Sequence, residues 1–120
     1  MAAEELVAIP TSRADALATR ARALLALQRN EEALARSTEA FNLLADLRTV
    51  DDGEMRIRLA HSEALLACDH VERGRALLAE SVQKIRARAK KLDPALAKNF
   101  LERVPEVSRL VWLASTYDVA

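Results

Sequence analysis

The chain has 120 residues, 18 basic and 18 acidic side chains, and a formal net charge of zero; hydrophobic residues make up 51% of it and aromatics only 3%. That length fits one domain able to bury a core, while the balanced charge argues against a general nucleic-acid or membrane-surface binder. Cys68, the single cysteine, excludes an intrachain disulfide framework and a multi-cysteine zinc site, and no apolar run approaches the roughly 18 to 20 residues of a membrane span.

The opening "MAAEELVAIP" lacks the basic start and long apolar stretch of a signal peptide, so the expected location is cytoplasmic. Ala, Leu, Arg and Glu dominate, with two Gly and three Pro. These strong helix formers and scarce turn formers predict an all-α protein. Residues 1–12 are read as a tail or the end of a preceding helix.

The first helix is expected from Arg13 to Leu27, capped by Ser12 with Asp15 three residues on. Leu17, Ala21, Leu24 and Gln28 form its apolar recurrence, widened by Leu25. The second is expected from Glu31 to Leu47 after Asn30 as cap, with Glu31 and Glu32 at the positive end of its dipole. Its inward stripe is Ala33, Ser37, Ala40, Phe41, Leu44 and Leu47, and Arg48 to Gly53 is the clearest loop.

A third helix is expected after Asp51, with Glu54 closing a capping box, and ends near Ala67. Asp69 and Glu72 repeat that spacing before a fourth helix, which reaches about Leu92 with Val71, Gly74, Leu78, Ser81, Val82, Ile85, Ala89 and Leu92 inward. Asp93-Pro94 is a cap followed by Pro at the first helical position and opens a short helix to Arg103. Pro105 opens the last helix, with Val107, Leu110, Val111 and Ala114 as its apolar face.

Two stretches echo each other. "ALLALQRNEEALARSTEA" from Ala23 and "ALLACDHVERGRALLAES" from Ala64 align at an offset of 41 residues. Ala23 to Ala26 land on Ala64 to Ala67, and Glu31, Ala35 and Glu39 on Glu72, Ala76 and Glu80. Residue identity and helix phase agree, the mark of an internal repeat.

On these residues the chain resembles the tetratricopeptide repeat (TPR) family, whose helix pairs place small residues where the helices cross. Ala21, Leu24, Ala33 and Ala40 fill the family's pattern in one copy, and Ser62, Leu65, Gly74 and Ser81 in the other. Close approach is the physical reason, since larger side chains would push the axes apart. There are departures. The family's turn Gly is Gln28 in one copy and Asp69 in the other, and Arg58 and Ser37 stand where large apolar residues are common. The repeat also exceeds the family's roughly 34 residues.

Longer units of this kind occur in bacterial multidomain signalling proteins, including regulatory ATPases, transcription activators and serine/threonine kinases. The resemblance implies about six helices in a short right-handed superhelix: two hairpins over 13–92 and a capping pair over 93–120, one domain overall. It implies a protein–protein interaction module, an adaptor or a regulatory domain, that takes a peptide or helix in a concave groove. A homodimer formed through the same groove is the alternative. By position the groove is lined by Asp15, Ala18, Arg22, Leu25 and Ala26, then by Arg56, Leu59, Glu63, Leu66 and Ala67. Leu25, Leu59 and Leu66 are expected to be partly exposed unless a partner, a second copy or the last two helices cover them.

The remaining chemistry is sparse. Cys68 and His61 stand seven apart on one helix, about 10 Å along its axis and beyond hydrogen-bond reach. His61 and His70 have no ligand spacing, two glycines make no phosphate loop, and no acid–base constellation points to an enzyme. No metal or cofactor is expected. "KIRARAKK", Lys84 to Lys91, reads as a solvated basic face at a helix C-terminus, without the aromatics of a single-strand nucleic-acid site. Trp112, the sole tryptophan, reads as a core or capping contact, with a partner-facing anchor as the alternative.

Overall fold

The computed structural model describes residues 10–46 and 52–119. Among these the chain is all-helical: α1 (Pro10–Ala26), α2 (Asn30–Asp46), α3 (Asp52–Ala67), α4 (Val71–Lys90), α5 (Pro94–Arg103) and α6 (Pro105–Thr116). No helix of the described residues is long and apolar enough to cross a membrane. The expectations on Leu47, on Asp51 as a cap and on Arg48 to Asp51 of the loop fall outside the described residues.

The helix ends follow local chemistry. Asp93 accepts a hydrogen bond from the backbone N–H of Leu96 at 3.0 Å, and Pro94 follows at the first helical position. Pro105 opens α6 in the same way. Other caps differ from expectation. α1 already begins at Pro10, whose fixed φ suits a first turn, so Ser12 is inside the helix and not its cap. Asn30 is the first residue of α2, because the carbonyl of Arg29 accepts the N–H of Ala33 at 3.0 Å. The carboxylate of Glu54, expected to close a box with Asp51, accepts from Arg58 Nε at 3.0 Å. Asp69 does not cap α4, whose N-cap is His70 without a side-chain bond.

Asp69 instead terminates α3. It adopts φ 64°, and His70 N–H reaches back to Leu65 O at 2.8 Å, with Asp69 N–H on Leu66 O at 3.1 Å. Gln28 ends α1 identically, with φ 62°, Arg29 N–H on Leu24 O at 2.9 Å and Gln28 N–H on Leu25 O at 3.0 Å. Both are left-handed exits of the Schellman type. The next hairpin bond repeats too, as Gly74 N–H reaches His70 O at 2.9 Å. The echo in the sequence is therefore an echo in backbone geometry at the same spacing.

α1 and α2 pack closely on each other, and α3 packs against both. Alanines make that approach possible: Ala14, Ala18, Ala21, Ala40 and Ala60 are fully buried around Ile57. α4 packs on α3, and α6 packs on both α3 and α4, while α5 touches only α4 and α6. Larger side chains fill this second half: Met55, Leu59, Leu78, Val82, Ile85, Val107, Leu110 and Leu113. α6 thus stands to α3 and α4 as α3 stands to α1 and α2. Val71, expected inward, is exposed at the start of α4, because the turn at Asp69 and His70 lifts that first residue off α3.

A polar layer lies between α2, α3 and α4. Arg58, only 5% exposed, reaches Glu80 at 2.8 Å and Ser81 Oγ at 3.3 Å besides Glu54. Its guanidinium also sits 5.8 Å from the centre of the Phe41 ring. Ser37 Oγ and His61 Nδ1 are 2.9 Å apart, and the His61 ring stacks on Phe41 at 5.0 Å. The two residues that break the apolar pattern, Ser37 and Arg58, are thereby satisfied by partners in neighbouring helices.

Candidate functional site

The sequence expectation placed a groove along the first and third helices, and the last turns of α1 and α3 do enclose an open cleft of about 580 Å³. Arg22, Leu25 and Ala26 line one side, Glu63 and Ala67 the other, and Asn30 at the start of α2 closes one end. These residues meet because α1 and α3 pack on each other and end at equivalent left-handed turns.

Glu63 is the charged centre. Its side chain is 19% exposed, with Arg22 Nε at 3.5 Å on one oxygen and Arg109 Nε at 3.4 Å on the other. Arg109 belongs to α6, so this rib ties three helices together across one face. The Arg109 guanidinium also lies 4.6 Å from the centre of the Trp112 ring, a cation–π contact. Two half-exposed cations share one carboxylate, so the rib carries an excess of positive charge. Trp112 is 54% exposed and points away from the α6 core residues Val107, Leu110 and Ala114. It is neither a core nor a capping contact, a correction to the first of its two sequence readings.

Of the ten expected groove residues, Arg22, Leu25, Ala26, Glu63 and Ala67 come together at the cleft, while Ala18 is buried in the core. Asp15 and Arg56 pair with each other further back along the same two helices and do not line it. Leu59 is 1% exposed and belongs to the core with Leu78, Val107 and Leu110. Leu66 is half-buried against the same cluster. Of the coverings the sequence allowed for Leu59, the last helix is the one found, so Leu59 belongs to the core and its place among the groove-lining residues is corrected. Arg109 and Trp112 were not among the expected groove residues. Their spacing of three on a helix was the available signal, but nothing in the sequence placed α6 beside Glu63.

No family model, curated protein or solved structure matches the chain.

The titratable groups outside the rib add little chemistry. Cys68 Sγ–H donates to the Asn30 carbonyl at 3.3 Å. Burial, then Glu31 and Asp69, push its thiol up, away from a nucleophilic thiolate. Among the described residues no group of three His, Cys, Asp or Glu could hold a metal ion. In the basic segment, Arg88 lies 4.0 Å from Glu54 and 5.8 Å from the centre of the Phe100 ring, while Lys84, Arg86, Lys90 and Lys91 are exposed.

Proposed function

We propose that this chain is a TPR-like protein–protein interaction module that takes a peptide or helix of another protein across the face made by α1, α3 and α6. The observation that carries the reading is the Arg22–Glu63–Arg109 rib, which borders an open cleft and ends at the exposed Trp112. A large exposed aromatic stacked by a guanidinium beside a largely buried carboxylate has the makeup of a binding hot spot. The repeated turns and the small residues at the α1–α2–α3 crossings support the TPR-like reading of the repeat. A role as adaptor or regulatory segment in bacterial signalling rests on the family resemblance alone.

A triple variant tests it: Arg22→Glu, Arg109→Glu and Trp112→Ala. All three side chains are exposed enough for the helical fold to survive, which circular dichroism checks. Proteins captured from a bacterial lysate by the parent chain should be lost from the variant. Unchanged capture would overturn the cleft assignment. Sedimentation velocity on both proteins addresses the alternative, since a parent dimer dissociated by the same substitutions means that the cleft pairs with its own copy.

A further inference from the structure

A small groove, of about 100 Å³, lies between α1 and α2 on the outer flank of the first hairpin. Arg20 and Leu24 of α1 and Glu32, Ala35 and Arg36 of α2 line it. Arg20 and Arg22 are two apart on one helix and so take nearly opposite sides of it. The groove is thus separate from the cleft and from the function proposed for it.

Each lining residue has its repeat equivalent, 41 positions on, around a depression of the second hairpin: His61, Leu65, Arg73, Ala76 and Leu77. There the preceding helix supplies a further wall. Phe41 of α2 stacks on His61 with ring centres 5.0 Å apart, and Ser37, one turn earlier on α2, meets His61 Nδ1 at 2.9 Å. The flank beside them is covered as well, since Ile57, Ala60 and Ala64 are at most 1% exposed against the first hairpin. Their equivalents on α1, Ala16, Thr19 and Ala23, are exposed, and Leu27 beyond them is 67% exposed. Arg20, the equivalent of His61, makes no ion pair among the described residues. Arg36 Nε is buried without a hydrogen-bond partner among them.

The second hairpin shows what covers such a flank: a helix that brings a ring onto position 61 and a polar side chain one turn before it. On the first hairpin that ring meets a guanidinium instead of an imidazole, and Arg stacks well on aromatic faces. Facing Arg20 and Arg36, a carboxylate in the place of the Ser37 hydroxyl makes a charge-assisted bond. None of the four aromatic residues of this chain follows an acid at a spacing of four, and none precedes Phe41. Neither residues 1–9 nor a second copy therefore supplies the match.

We infer that the outer flank of α1 and α2 docks a helix of another protein that carries Asp or Glu and, four residues later, an aromatic side chain. The ring lies on Arg20 and Leu24, and the carboxylate accepts from the cations of the groove, Arg20 and Arg36.

The probe is a peptide of the α2 sequence, Asn30–Asp46, with Ser37→Glu to supply the acid and a staple across positions 35 and 42 to hold it helical. Titrated into the isotope-labelled full chain, it should shift the Leu24 and Ala35 methyls saturably and leave the Trp112 indole unmoved. Phe41→Ala in the peptide should weaken binding at least about tenfold, as should Arg20→Glu at its exposed position in the chain. The stapled peptide that retains Ser37 should bind about fivefold more weakly, having lost one charge-assisted bond. The chain with Arg22→Glu, Arg109→Glu and Trp112→Ala should bind the peptide as the parent does, so the two surfaces stand or fall separately. No saturable shift at Leu24 up to about 1 mM peptide overturns the inference. So do shifts at Trp112 in place of Leu24, or binding that Phe41→Ala and Arg20→Glu leave unchanged.

Discussion

Arg56 donates to the carboxylate of Asp15, and the two residues stand 41 positions apart. That separation is the repeat offset itself, so equivalent places in successive hairpins carry opposite charges and bind each other. The pair joins α1 to α3 along the face that leads to the cleft. Both side chains are about one-third exposed, which limits what the contact contributes. A double-mutant cycle with Asp15→Ala and Arg56→Ala in urea should give a coupling near 0.5 kcal/mol, falling in high salt. Coupling that ignores salt would mean that the pair acts through packing and not through charge.

Gln28 and Asp69 sit in the left-handed region with φ of 62° and 64°. For residues with a Cβ that conformation costs roughly 1 to 2 kcal/mol, and glycine avoids most of it. Part of the gain is offset by glycine's larger unfolded-state entropy. Gln28→Gly and Asp69→Gly should each stabilise the chain by about 0.5 to 1 kcal/mol in chemical denaturation, and because the two turns are separate the effects should add.

These same turns show how much the sequence disclosed. Gln28 and Asp69 were identifiable as the places where the repeat pattern that the sequence resembles has glycine, so the turn was legible even though its residue was not the usual one. Asp93 with Pro94 was legible because a cap is a local device. The Ser12 cap was misread because Pro10 starts α1 earlier, and two valid start signals within three residues cannot be ranked by local chemistry. Leu59 and Trp112 were misplaced for a different reason. Periodicity gives the faces of one helix, but which face α6 covers depends on where that helix docks. The same docking sets Arg109 beside Glu63 from 46 residues away, a contact with no local trace. Arg58 and Ser37 stood out as breaks in the apolar pattern, but their partners Glu80 and His61 come from other helices.

Gly74 marks a crossing of α3 and α4 that only a hydrogen fills. A Cβ there would meet Leu66 Cδ2 at 2.8 Å and Cγ at 3.0 Å. Gly74→Ala gains about 1 kcal/mol of helix propensity and loses about 1 to 3 kcal/mol to overpacking. It should therefore be neutral to destabilising in the parent chain. In a Leu66→Ala background the clash is gone, and the same substitution should stabilise by close to the full propensity gain. The sign reversal between backgrounds, measured by urea unfolding, is the check.

Arg58 holds the polar layer, and its replacements should rank by what they leave behind. Arg58→Ala removes three partners and opens a cavity, which should cost about 3 to 5 kcal/mol. Arg58→Met refills much of the volume. Glu80 then turns to water, being 55% exposed, but Glu54 at 16% stays partly desolvated. Met should therefore recover about half of the loss in thermal or urea unfolding. Equal losses for Ala and Met would mean that charge satisfaction, not packing, dominates the site.

His61 makes stability depend on pH in a defined window. Burial first, and then the positive charge of Arg73, lower its pKa from 6.5 to about 4. The folded ring resists protonation while the unfolded ring accepts a proton near its ordinary value, so the unfolded state binds more protons between those two limits. The contribution is complete above pH 6.5. It is lost progressively as pH falls through about 4, below which both states are protonated. The loss over that span is about 3 kcal/mol. Urea midpoints at pH 7.5, 5.5 and 4.5 should fall in that order, and His61→Phe should flatten the slope because a phenyl ring keeps the stack on Phe41 without titrating. The variant also removes the Nδ1 partner of Ser37, whose hydroxyl still reaches Leu34 O at 3.1 Å. Its stability at pH 7.5 should therefore drop by only about 1 kcal/mol. A slope unchanged by His61→Phe would assign the acid sensitivity to the carboxylates of the ion pairs instead.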